Sequence, residues 1–118
     1  MELTIGSTDY RLHSDDRNGR IVTYAVRLDN GDRFGIDVNG TSVDDTQSTL
    51  ARWLQWQYEH SEALATLQQA ERVYHKAMAG AAFGTTPEAA AEESRTAVEA
   101  MNEARTRLDE IRLRRPNI

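Results

Sequence analysis

Three histidines are the first residues in this chain whose type could carry chemistry. His60 has no carboxylate or nucleophile at a spacing that would activate it. Its polar ring therefore fits a pairing role between helices better than catalysis. Glu71 and His75 are four residues apart, on one helical face, as a pair of metal ligands would be. Zinc or di-iron sites need further His or carboxylate ligands, and the second half of the chain offers Glu92 and Glu93 without another Glu-x-x-His. An exposed ion pair is the simpler reading. His13 stands alone on a polar strand face. The run Asp15-Asp16-Arg17-Asn18-Gly19 resembles the start of a calcium loop, with Ser14, Asp16 and Asn18 at ligand positions. Its twelfth position is Ala25 instead of glutamate, so the bidentate ligand is missing and the run reads as a turn.

No phosphate-binding, dinucleotide-binding, nucleophile-elbow or zincin motif is present. The acids Glu92, Glu93, Glu99 and Glu103 are spread along a helix as solvated faces usually are. These observations predict a chain without catalytic residues, cofactor or metal site.

Two clusters remain as candidates for contact with a partner. Arg112, Arg114 and Arg115 crowd the end of the chain together with Arg105 and Arg107. They complement the negative end of a helix, and they lack the interleaved aromatics of a nucleic-acid platform. Trp53 and Trp56 could anchor a partner as aromatic hot spots do, or fill a core. The five candidate interaction residues are thus Trp53, Trp56, Arg112, Arg114 and Arg115.

The elements that position them follow from hydrophobic period. Residues 1–40 alternate with period two. Leu3 and Ile5 come first, then Tyr10 and Leu12. Between Arg20 and Leu28, Val22, Tyr24, Val26 and Leu28 share one face, and Ile21, Thr23, Ala25 and Arg27 the other. Phe34, Ile36 and Val38 alternate after the turn signal Asp29-Asn30-Gly31-Asp32. This pattern predicts an antiparallel β-meander of three or four strands with one apolar face, which needs a cover to stay folded.

Residues 44–115 predict a long antiparallel helical hairpin with a break at about 80–87. Trp56, His60, Ala63, Leu67, Ala70, Tyr74 and Ala77 recur in alternating steps of four and three. Ala90, Ser94, Ala97, Met101, Ala104, Leu108 and Ile111 do the same. Folding the chain at the break pairs Trp56 with Ile111, Ala63 with Ala104, Leu67 with Met101 and Ala70 with Ala97 in constant register. The Ala–Ala layers let the helices approach toward the low end of the usual ~8–10 Å. Gly80 and Gly84 offer left-handed C-terminal positions, and Thr86-Pro87-Glu88 is an N-cap, a first-turn proline and an acid at the positive helix end. Leu50, Trp53, Leu54, Trp56 and Tyr58 cover about 200° of the wheel, too wide for one neighbour. The expected division puts Leu50, Leu54 and Tyr58 against the sheet and the two tryptophans toward the second helix. The base of the hairpin is then expected to be embedded and its tip to project. The fold class is α+β, and the whole chain is expected to form a single domain.

Composition narrows the functional classes. With 118 residues, 39% hydrophobic and 28% charged, the chain suits a single globular domain. A net charge of −5 disfavours duplex nucleic acid and anionic membranes as partners. The absence of cysteine removes disulfides and thiolate metal sites. No apolar run is long enough to span a bilayer, and Met1-Glu2-Leu3-Thr4 has no signal-peptide character, so a cytoplasmic protein is expected. Of the 14 basic residues 13 are arginine and only Lys76 is lysine. Folding does not require that ratio, but a GC-rich genome, such as that of an actinobacterium or its phage, produces it. The expected function is a non-catalytic protein–protein interaction or assembly component, for example of a phage particle, acting on a protein partner or by self-association. The alternative is a small acidic inhibitor of a nucleic-acid-binding enzyme.

Overall fold

The computed structural model describes residues 1–81 and 86–118. The fold is α+β, as the periodicities require. Four strands, β1 (Glu2–Ile5), β2 (Thr8–Arg17), β3 (Arg20–Arg27) and β4 (Arg33–Gly40), form an antiparallel meander in sequence order. Two helices follow, α1 (Val43–Ala81) and α2 (Pro87–Leu113), and pack against each other. The chain gathers into two units, Met1–Tyr58 with Arg115–Ile118, and Glu59–Arg114. Their boundary falls inside α1 and not at the end of the sheet.

Turn chemistry sets the meander. Asn18 and Gly19 both take positive φ, 58° and 84°, the primed turn whose twist matches the flanking strands. Asp16 caps it, its Oδ1 accepting from the Gly19 amide at 2.9 Å. The run that resembles a calcium loop is therefore the β2–β3 turn. At the β3–β4 turn the Asp32 carbonyl accepts from the Arg27 amide, and the Arg27 guanidinium clips Asp29 at 2.8 Å. That hydrogen bond holds the Asp29 carboxyl below its ordinary value and raises Arg27. A carboxylate depressed in the fold stabilises above its unfolded pKa, and that contribution is lost as pH falls through the folded value. Asp29 is solvent-exposed and Arg27 only partly covered, so an NMR titration is expected to show an early-titrating Asp29 with little change in melting temperature.

The first four turns of α1 cover the sheet. Leu50, Trp53 and Leu54 pack with Ile5, Tyr10, Leu12, Ala25 and Val38 in one core. The Tyr58 ring sits over the turn at Gly6. Trp53 thus belongs to the sheet core, contrary to the expected division that placed it toward the second helix. The strand face turned to α1 carries Thr23 and Ala25, both fully buried.

A buried threonine can occupy that face because its hydroxyl is paired. The Thr46 hydroxyl donates to the carbonyls of Ser42 and Val43 at 2.9 and 3.0 Å. A hydroxyl has one proton, so Thr23 must donate to Thr46 (2.6 Å) and Ser14 to Thr23 (2.7 Å). The Gln47 amide closes the chain by donating to Ser14 at 3.1 Å. This relay ties β2 and β3 to the first turn of α1. Thr23→Val keeps the shape and breaks the relay, which is expected to cost about 1–2 kcal/mol in denaturant unfolding.

In the helical unit, Ala63 and Leu67 on α1 and Ala97, Ala104, Leu108 and Ile111 on α2 are buried. Every other seam residue expected within this unit, from His60 to Ala77 and from Ala90 to Met101, is at least half-buried, and most residues between are exposed. The antiparallel sense is fixed locally. Arg112 Nε donates to His60 Nε2 at 3.4 Å, and Val73 and Ala77 line one groove with Glu93 and Ala97. The start of α2 is as expected: Thr86 Oγ1 accepts from the Ala89 amide at 3.3 Å and Pro87 occupies the first turn. The expectation that Gly80 supplies a left-handed terminus fails, because Gly80 is helical within α1. Alanine-rich neighbours carry the helix through it to Ala81. Gly84 lies outside the described residues.

Candidate functional site

The site with the most distinct chemistry lies in the sheet unit and starts from an irregularity in β4. Thr23 pairs with Val38 and Ala25 with Phe34, so β4 carries extra residues between these pairs. Gly35 within them takes φ 78°, a conformation that favours glycine. A Cβ placed there would lie 2.9 Å from Trp53 Cζ3. The bulge therefore makes the dent that receives the indole. Gly35→Ala is expected to destabilise by about 2–4 kcal/mol, through both the positive φ and the overpacked ring, with loss of thermal stability as the readout.

With the indole seated in the dent, Trp53 forms part of the wall of a cleft of about 420 Å³ lined also by Ile36, Arg115, Pro116, Asn117 and Ile118. Ile36 and Ile118 are 38% and 52% exposed and lie beside Arg115 and Asn117, so the cleft is of mixed polar and apolar character. Arg115 places its guanidinium 5.7 Å from the centre of the half-buried Trp56 ring, a cation–π contact.

Three of the five expected interaction residues, Trp53, Trp56 and Arg115, are brought together here. Arg112 and Arg114 belong to the helical unit. Arg112 meets His60, and Arg114 is the C-cap of α2, its amide bonded to the carbonyl of Ile111 at 3.0 Å.

The outer face of the sheet holds an arrangement that strand period does not reveal. His13 stacks on Tyr24 with ring centres 5.5 Å apart, and Arg33 lies 4.0 Å over the same Tyr24 ring. Asp37 holds Arg33 through both carboxylate oxygens at 2.7 and 2.8 Å, which raises the guanidinium pKa. His13 is therefore not alone. The pairing His13↔Tyr24 across β2 and β3 was the available signal, but it requires the register, which alternation does not fix. Among the described residues no group of three or more His, Cys, Asp or Glu side chains could hold a metal ion. No described helix is long and apolar enough to cross a membrane. Comparison with protein-family models, curated proteins and solved structures finds no match for this chain.

Proposed function

We propose that the chain is a non-catalytic interaction protein, an assembly component that engages a protein partner through the cleft beside Trp53 and Arg115. The observation that carries this reading is the cleft itself: exposed isoleucines beside polar groups, a tryptophan locked against Gly35, and an arginine in cation–π contact with Trp56. Locked aromatic side chains bind at little entropic cost, and arginine beside them is a usual anchor chemistry. The arginine bias supports a source in a GC-rich host or its phage, where such a component would act in the cytoplasm or in the particle. The acidic-inhibitor alternative rests on the net charge of −5.

Affinity capture from lysate of a GC-rich host, with and without nuclease, tests the reading. The expected result is a nuclease-resistant protein partner captured by the parent chain and lost with Arg115→Glu or Ile118→Asp, both exposed positions. Capture unchanged by these substitutions contradicts the cleft reading. Capture of a nucleic-acid-binding enzyme favours the inhibitor.

A further inference from the structure

The helical unit carries a second surface, a groove between α1 and α2 lined by alanines and charged side chains. Two grooves of about 700 and 630 Å³ lie between α1 and α2. Ala100 lines both, so they are parts of one channel along the same side of the helical pair. Its floor is built by Ala70, Ala77, Ala97 and Ala104. Val73 on its flank is 47% exposed.

Six charged side chains line the channel, Glu62, Lys76, Glu92, Glu93, Glu103 and Arg107, and four of them fall at equal spacing. Glu62 and Lys76 on α1 are fourteen residues apart, two heptads, and so are Glu93 and Arg107 on α2. Two heptads keep both members of each pair on one face, about 21 Å apart at ~1.5 Å per residue. The midpoints are Gln69 and Ala100, which line the channel opposite each other. Among these four, acid and base alternate along each helix and across the groove, and each has its opposite at the mirrored position; Glu92 is held by Arg95, and Glu103 falls outside the pattern. Among the described residues these four side chains form no ion pair within the chain.

We propose that this channel is closed by the same channel of a second copy of the chain, giving a four-helix bundle about a two-fold axis. With the axis across the helices through Gln69 and Ala100, Glu62 meets Lys76 of the second copy and Glu93 meets Arg107 of the second copy. With the axis along the helices, Glu62 meets Arg107 and Lys76 meets Glu93 instead. Opposite charges face each other in both cases, and every neighbouring helix is antiparallel. The alanine floor allows close approach of the added helices. A face ~27 Å long and about 20 Å wide buries roughly 1,000 Å² in total, at the lower edge of specific interfaces. Association in the micromolar range is expected of so small an interface.

Sedimentation velocity over about 1–300 µM tests this directly, with far-ultraviolet circular dichroism to verify that each variant stays helical. The expected species is twice the 13.3 kDa chain mass at the upper concentrations. Ala100→Glu, exposed at the centre of the groove, is expected to weaken association about tenfold or more, and Glu62→Lys to do the same. One double variant then restores it: Glu62→Lys with Lys76→Glu for the axis across the helices, or Glu62→Lys with Arg107→Glu for the axis along them. A monomer at every concentration overturns the proposal. So does a dimer indifferent to Ala100→Glu and Glu62→Lys, which places self-association on another face. Neither outcome bears on partner capture by the Arg115 cleft, so the two readings fail separately.

Discussion

Ala97→Glu is expected to unfold the helical pair, at a cost of about 3–5 kcal/mol. Ala97 is 3% exposed on the seam of α2, at the floor of the groove between the helices. A glutamate there must either bury an unpaired carboxylate or push the helices apart. Ala70→Glu, at the facing position expected on α1, should cost distinctly less, about 1–2 kcal/mol, because Ala70 is only half-buried where Ala97 is buried. The ordering distinguishes the two sites. Melting curves at 222 nm should show Ala97→Glu shifted far below Ala70→Glu. Equal shifts would mean that the groove side of Ala70 is closed.

Leu50→Ala should be nearly as damaging, in the other unit. Leu50 is 0% exposed and packs in the core shared by α1 and the sheet. Its removal forfeits the transfer free energy and leaves a cavity, together about 3–4 kcal/mol. For a chain of this size that is a fall of roughly 12–16 °C in melting temperature. Leu50→Met, which conserves volume, is expected to cost less than about 1.5 kcal/mol. A Leu50→Ala protein melting within a few degrees of the parent would show that α1 does not cover the sheet through this face.

The helical seam was legible because its signal is long and redundant. Some fourteen positions repeat one period, and Thr86-Pro87 marks the start of α2 by local chemistry that tertiary packing does not override. The meander was legible from alternation and from the Asn18-Gly19 and Asp29–Asp32 turns. Trp53 was assigned to the wrong neighbour because α1 near its start is apolar over about 200°, and a wheel does not say which of two partners each residue meets. The deciding feature was Gly35, whose dent exists only once β4 bulges. The Ser14–Thr23–Thr46 relay was hidden for a related reason. Hydroxyl residues read as exposed until their partners, far apart in sequence, come within hydrogen-bond distance. Gly80 misled in the opposite direction, since its backbone freedom permits a helix end without requiring one.

Both proposed surfaces depend on the folded-back register of α1 and α2 being correct. Methyl-selective nuclear Overhauser spectroscopy on alanine-, leucine- and methionine-labelled protein measures it most directly. Cross-peaks between Ala63 and Ala104, and between Leu67 and Met101, are the predicted result. Their absence, or cross-peaks joining Ala63 to Ala97, would contradict it.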